Sequence, residues 1–143
     1  QVVFNNSGTE AVMVAIRAAR AYAGRHRIGK FEGAYHGAYD FVMVGGGTLP
    51  ALDDPVRLSR PVPDLGGLPP AATDDVVLIR YNDADAVREA VRLHGDTLAA
   101  ILVEPILGAG GVIPAEREFL SVLREETARA GIVLICDEVV SLR

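Results

Sequence analysis

Apolar and polar residues along the chain follow two alternating patterns. In three stretches apolar residues recur every three or four positions, which predicts helices over 9–23, 83–93 and 115–130. Shorter runs, most of them apolar at consecutive positions, predict strands. These runs span 2–4, 28–32, 76–79, 98–103 and 132–136.

The type of strand predicts the class of fold. Runs such as 76–79 and 98–103 are apolar at consecutive rather than alternate positions, as expected of strands buried on both faces. Such strands belong to mostly parallel sheets flanked by helices, so the predicted class is α/β. In this class ligands bind at the carboxyl ends of the strands, where the strand order reverses.

One long stretch, 44–75, interrupts the alternation. It is rich in glycine and proline, and these residues sustain neither a helix interior nor a central strand. We therefore predict a long loop. Structureless connections of this length are often active-site lids or binding loops, so a lid over the active site and a plain surface excursion both fit the composition.

Polar residues stand directly after the predicted strands. The first strand runs into Ser7-Gly8-Thr9, the second into Tyr35-His36, a third into Glu104 and the last into Asp137. Because the carboxyl ends of parallel strands meet at one edge of a sheet, we expect these side chains to line one crevice.

The residues Ser7, Gly8 and Thr9 combine hydroxyls, a small residue and the start of a helix. A helix N-terminus attracts anions, and glycine lets the backbone approach a phosphate closely. In isolation, serine and threonine here are more often simple helix caps. The sequence matches neither dinucleotide-binding nor nucleoside-triphosphate-binding glycine motifs.

Two carboxylates stand at strand ends. Asp137 follows five apolar residues, so its buried charge needs a cationic partner, either the protonated ring nitrogen of a cofactor or an arginine such as Arg17 or Arg143. Glu104 follows another apolar strand, and Pro105 turns the chain out of the sheet. Glu104 could orient a ligand or accept hydrogen bonds from loop amides.

Tyr35 and His36 lie in a turn bounded by glycines. The ring of Tyr35 suits stacking on a planar heterocycle, and the alternative is packing on the rim of the sheet. The imidazole of His36 could act as a base or only orient a neighbour through a hydrogen bond, and the second role is the more common.

Composition narrows the class of function. The net charge of -5, without a run of like charges, gives no support to a nucleic-acid or membrane-surface partner. The apolar runs are too short to cross a bilayer, and no targeting segment is visible, so we expect a cytoplasmic location. A single cysteine and three scattered histidines do not suggest a metal site.

Five motifs together resemble one enzyme family. The chain is similar throughout to the pyridoxal-phosphate-dependent class III aminotransferases, and within them to glutamate-1-semialdehyde aminomutases. The motifs are NNSGTEA at 5–11, KFEGAYHG at 30–37, YND at 81–83, VEP at 103–105 and DEV at 137–139. The resemblance implies a fold-type I enzyme, with 1–143 as an excerpt from the centre of its large, cofactor-binding domain.

The resemblance also implies roles in binding pyridoxal phosphate. Ser7, Gly8 and Thr9 would hold the cofactor phosphate, and Tyr35 would stack on the pyridine ring. His36 belongs to the same motif as Tyr35 and is included in the expected binding site.

At the other strand ends, Asp137 would pair with the ring nitrogen as the catalytic residue of this segment, and Val139 would press on the second face of the ring. Glu104 is counted with the cofactor-binding residues. A bound pyridinium acts as an electron sink for the substrate carbanion, and Asp137 would keep its nitrogen protonated.

The resemblance places the Schiff-base lysine beyond Arg143, so we expect the excerpt alone to be inactive. Lys30 is the only lysine in the chain, and the family assigns its position no such role. The implied substrate is an amino acid or amino aldehyde, and the implied assembly is a homodimer.

Three alternatives stay open at this point. Ala109 stands where aminomutases usually have asparagine, which favours a transaminase of another, β- or ω-amino acid. The same electron sink would also serve decarboxylation or racemisation. A truncated homologue that binds phosphate ligands without catalysis is the third.

Overall fold

The computed structural model describes residues 1–45, 58–59 and 61–142. Its centre is a five-stranded sheet with helices on both faces. The sheet contains β1 (Arg27–Phe31), β2 (Leu58–Ser59), β3 (Val76–Ile79), β4 (Leu98–Val103) and β7 (Val133–Cys136). A separate two-stranded hairpin contains β5 (Ile106–Leu107) and β6 (Ile113–Pro114). The α-helices are α1 (Gly8–Ala23), α2 (Pro70–Asp74), α3 (Ala84–His94) and α4 (Arg117–Ala130), and Asp40–Val42 forms a 3-10 turn.

Polar side chains cap the starts of α1 and α3, and a glycine follows each of the three long helices. The Ser7 hydroxyl accepts a hydrogen bond from the Glu10 amide at the start of α1, and Asp83 does the same for Ala86 in α3. Helix α1 ends at Gly24, which adopts a left-handed conformation with φ 64°. These local signals explain why the predicted helices agree with the structure to within two residues at each end.

The sheet has the strand order β2-β3-β1-β4-β7. Strands β3, β1, β4 and β7 are parallel, and the two-residue β2 pairs antiparallel with β3 at the edge. From β1 the chain goes first to β3 on one side and then to β4 on the other, so the order reverses at β1. The predicted α/β class with a mostly parallel sheet is confirmed.

Both faces of the sheet are covered by apolar side chains. On one face Phe31 packs edge-on against Phe119 of α4, with ring centroids 5.1 Å apart, among residues of α3 and α4. On the other face Ile16 of α1 packs with Ile28 and Leu102. Every residue of β3 and β4 is buried, as the runs of consecutive apolar residues predicted.

The predicted strand at 2–4 is wrong. Val2, Val3 and Phe4 are 79%, 67% and 92% exposed and form no strand. Nothing in the described part of the chain hydrogen-bonds to their backbone as a neighbouring strand would. An apolar run becomes a strand only where another strand completes its hydrogen bonds.

The prediction of a loop without helix or strand over 44–75 is wrong in part. Pro70–Asp74 forms α2, β2 lies within the stretch, and Val44 makes an isolated antiparallel bridge with Pro63. Pro70 occupies the first turn of α2, where a missing amide hydrogen costs nothing. Residues 46–57 and 60 lie outside the described residues, so the lid stays a prediction.

No helix within the described ranges combines the length and the apolar character that crossing a bilayer requires.

Candidate active site

The structure brings all the predicted site residues to one cavity of about 310 Å³ at the carboxyl ends of the strands. That volume lies within the range of small-molecule sites. The predicted residues in its wall are Ser7, Gly8, Thr9, Tyr35, His36, Glu104, Asp137 and Val139. Sequence reasoning gave no site role to four further lining residues, Gly37, Gly108, Ala109 and Val140.

The start of α1 forms an anion-binding wall. The Ser7 and Thr9 hydroxyls each accept a backbone hydrogen bond of 3.2 Å, from Glu10 and Ala38 respectively. Each hydroxyl proton is therefore still available to donate. The amides of Gly8 and Thr9 have no acceptor within the described residues. Ser7 thus caps the helix, and the same end still offers four donors to an anion.

Gly37 fits closely against this wall. Its φ is 90°, and an added Cβ would lie 2.8 Å from the Cα of Thr9, well inside van der Waals contact. Only glycine combines this conformation with this approach. The glycine after Tyr35-His36 was the sequence signal for this contact, but spacing alone could not show that Thr9 lies opposite.

A buried hydrogen bond joins His36 and Asp137. The Nδ1 of His36 lies 2.9 Å from Oδ2 of Asp137, and the two side chains are 0% and 8% exposed. An ionised carboxylate only accepts, so Nδ1 carries the proton. The bond from His36, helped by the Val139 amide on Oδ1, holds the pKa of Asp137 below its usual range despite partial burial.

These contacts bear on the partner of Asp137 and on the role of His36. His36 is the partner of Asp137 within the described residues, not Arg17, and Arg143 lies outside them. His36 therefore orients its neighbour through a hydrogen bond. Its Nε2 is buried and has no hydrogen-bond partner among the described residues.

Glu104 connects two loops of the cavity. Its Oε2 accepts a hydrogen bond of 3.2 Å from the Tyr35 amide, and Oε1 a longer one of 3.5 Å from the Gly108 amide. The Tyr81 hydroxyl donates to the Glu104 carbonyl at 2.8 Å, and burial, with the nearby Glu104 charge, raises the pKa of Tyr81 to about 12. Glu104 thus accepts hydrogen bonds from loop amides, which is the second of the two roles that the sequence left open for it.

The remaining two predicted residues lie at the mouth of the cavity. Tyr35 is 59% exposed, which leaves most of its ring free to meet a ligand. Val139 is 76% exposed, and an added Cβ on Gly8 would lie 3.5 Å from it. The anion-binding start of α1 and the residue two positions after Asp137 are therefore neighbours.

Lys30 does not line the cavity. Its side chain is fully buried, and Nζ donates to the carbonyls of Ala34 at 3.0 Å and Val42 at 2.7 Å. Burial lowers the pKa of Lys30 to about 8, against the opposing effect of Asp64 and Glu104. The amine of Lys30 is held by two backbone carbonyls away from the cavity, which agrees with the expectation that Lys30 is not the Schiff-base lysine.

The sequence model of the class III aminotransferases matches residues 1–141. The chain belongs to this family. Among its relatives is a glutamate-1-semialdehyde 2,1-aminomutase of Pyrobaculum calidifontis, 47% identical over 138 residues, which are 96% of this chain and 30% of the relative.

Solved structures of class III aminotransferase relatives share the fold. An ω-transaminase from Sphaerobacter thermophilus has a TM-score of 0.87 and 49% identity over 96% of this chain and 31% of its own. A glutamate-1-semialdehyde aminomutase from Pseudomonas aeruginosa PAO1 has a TM-score of 0.76 and 33% identity. That match covers 94% of this chain and 28% of the aminomutase chain. This class III chain thus spans about 30% of the length of the curated relatives it matches.

Proposed function

We propose that this chain forms the pyridoxal-phosphate site of an enzyme that transfers amino groups of amino acids or amino aldehydes. The observation that carries the proposal is the meeting of an anion-binding helix start and a charged, buried carboxylate in one cavity. These are the two groups that a phosphorylated pyridinium needs at opposite ends.

The donor set fits pyridoxal phosphate. Four donors at Ser7, Gly8 and Thr9 suit its phosphate, and the exposed ring of Tyr35 suits its flat heterocycle. The carboxylate of Asp137 suits its ring nitrogen, because a buried anion is stabilised by a cation beside it.

When bound, pyridoxal phosphate supplies an electron sink for the carbanion that forms when the substrate loses its α-proton. Asp137 holds a proton on the ring nitrogen, and the hydrogen bond from His36 keeps Asp137 charged so that it can do so. His36 is therefore a positioning residue, and Asp137 is the catalytic residue of this segment.

The other lining residues set the position of the ring. Tyr35 and Val139 lie on separate segments of the cavity wall and would enclose the ring between them. Glu104 fixes the loops on which Tyr35 and Gly108 lie, which supports a binding role without direct contact. We propose that the Schiff-base lysine of the family comes from sequence outside 1–143.

Two activities are candidates for the complete protein. The aminomutase relative is 47% identical, which supports glutamate-1-semialdehyde 2,1-aminomutase activity. The ω-transaminase structure is 49% identical with a TM-score of 0.87, which makes transaminase activity the second candidate. An aminomutase converts its substrate without an external amino acceptor, whereas a transaminase requires one, so product formation with and without a keto acid separates them.

The experiment uses the protein expressed from the full reading frame that contains this chain. Titration with pyridoxal phosphate should change its absorbance, and an amino donor should change the spectrum again. Asp137→Ala should lower turnover by on the order of 100-fold or more. Asp96→Ala, an exposed aspartate between α3 and β4, is the control and should match wild type. Wild-type turnover in Asp137→Ala would contradict the proposal.

A homodimeric assembly, supported by the family resemblance, and a cytoplasmic location are further proposals. Light scattering of the purified protein would reveal a monomer if the first is wrong, and fractionation of cells tests the second.

A further inference from the structure

Lys30 is a buried charged group that the proposed chemistry does not use. Its side chain is 0% exposed, and both hydrogen bonds of its ammonium go to backbone carbonyls, at Ala34 and Val42. Burying an ammonium is costly, and an apolar residue would fill the same space without that cost. The presence of a charged group at these two carbonyls therefore requires a structural reason.

The reason lies in the peptide group between Ala34 and Tyr35. Its carbonyl oxygen accepts from Lys30 Nζ at 3.0 Å, and its N–H donates to Glu104 Oε2 at 3.2 Å. One peptide plane is thus held at its two ends by charges of opposite sign. Each of these hydrogen bonds is charge-assisted, and such bonds are stronger than those between neutral groups.

This peptide plane determines the direction of the Tyr35 side chain. Rotation about the Cα–C bond of Ala34 would turn this plane, break one charge-assisted bond or the other, and move the Cα of Tyr35. The second carbonyl bound by Lys30, at Val42, closes the same loop from its far end. The loop between them carries both Tyr35 and His36, which line the cavity.

We propose that Lys30 is a positioning residue for the cofactor site, which acts with Glu104 to fix the Ala34–Tyr35 peptide group and so the Tyr35 ring. This inference rests on the proposed function, because it assigns Tyr35 to the cofactor ring. Lys30 itself touches neither cofactor nor substrate.

The test measures the affinity of the full-reading-frame protein for pyridoxamine 5′-phosphate, which forms no Schiff base with a lysine. Lys30→Met, Tyr35→Ala and the double variant form one cycle. Thr127→Val replaces Lys30→Met in a control cycle, since Thr127 is equally buried and its hydroxyl also donates to a backbone carbonyl, that of Leu123. Thr127 lies in α4 and does not line the cavity.

Lys30→Met should weaken pyridoxamine phosphate binding by about tenfold in the wild-type background and by less than about twofold with Tyr35→Ala, because its effect passes through that ring. Thr127→Val should change affinity by less than about twofold in both backgrounds. A general loss of stability caused by Lys30→Met would weaken binding equally with Tyr35 and with Tyr35→Ala.

An equal loss of affinity from Lys30→Met in both backgrounds, or none in either, would overturn the inference. If Lys30→Met does not fold, Lys30→Gln replaces it in the same cycle, because a glutamine side chain keeps a polar end but lacks the charge that holds the two carbonyls. Failure of the proposed function gives a different result, in which the wild-type protein binds no pyridoxamine phosphate at all.

Discussion

The Nδ1 of His36 donates a hydrogen bond of 2.9 Å to Oδ2 of Asp137, although the two residues are 101 positions apart in sequence. Both side chains are almost fully buried. This bond is the main cause of the lowered pKa of Asp137. It keeps a negative charge at the end of the cavity where we propose that a ring nitrogen binds.

Replacing His36 tests this relationship. His36→Phe keeps a flat ring but removes the donor, so the pKa of Asp137 should rise. Affinity for pyridoxamine phosphate should fall in acid once Asp137 is protonated. This fall should begin at a higher pH in His36→Phe than in wild type. His36→Gln, which retains an N–H donor, should lie between them. Dissociation constants measured from about pH 3 to 8 check this, because the lowered pKa of Asp137 places the wild-type acid limb below about pH 4. Identical acid limbs would contradict it.

Gly37→Ala should disturb the phosphate wall. The added Cβ would collide with Thr9, and the left-handed φ of 90° would add strain of about 1–2 kcal/mol. Gly67→Ala is the matched control, because Gly67 has a φ of 95° with open space around it. Urea unfolding should show a larger loss for Gly37→Ala, and only that variant should lose affinity for inorganic phosphate. Equal behaviour would refute the contact.

Lys30 predicts an unusual dependence of stability on pH. Its folded pKa of about 8 lies below the unfolded value of about 10.4, so the unfolded chain binds more protons between these values. Stability from this group is therefore lowest below pH 8 and increases by up to about 3 kcal/mol towards pH 10.5.

The measurement is the difference in unfolding free energy between wild type and Lys30→Met from pH 7 to 10.5. Taking the difference removes the contributions of all titrating groups that the two proteins share. A difference that stays constant with pH would show that Lys30 is not buried in charged form.

Glu104→Gln should loosen the two loops that the carboxylate joins. A glutamine side chain has one accepting oxygen, so the Tyr35 amide or the Gly108 amide loses its partner, at a cost of about 1–3 kcal/mol. Amide hydrogen exchange at Tyr35 and Gly108 should accelerate. Glu118→Gln, at an exposed position in the first turn of α4, should leave both rates unchanged. Unchanged exchange in Glu104→Gln would disprove the connection.

Local sequence signals account for much of the fold. Strands 76–79 and 98–103 were predicted with the bounds observed, because consecutive apolar residues end there at polar or glycine-rich positions. Ser7, which the sequence offered as a helix cap, does cap the start of α1 through its hydroxyl oxygen. The rule that ligands meet parallel strands at their carboxyl ends predicted that Tyr35 and Asp137 would lie together. Thr9 joins them in the cavity, although the strand predicted before it does not form.

What local signals could not supply are contacts between distant segments. The apolar run at 2–4 resembles a strand, but the described residues give it no strand to pair with. Pro69 and Pro70 argued against a helix in the sequence. Pro69 is the N-cap of α2 and Pro70 lies in its first turn, where proline is tolerated. The hydrogen-bond partners of Lys30 and Glu104 depend on where loops meet in space. The spacing of apolar residues along the sequence does not predict such contacts.

The walls of the cavity come from both ends of the chain, from Ser7 at the start of α1 to Val140 after β7. Contacts between residues so far apart in sequence form late and make folding slow. The cavity therefore does not exist in a partly folded chain, and a molecule that fills it recognises only the finished sheet. By mass action such a molecule would stabilise the folded polypeptide, so resistance to unfolding would rise with the supply of cofactor.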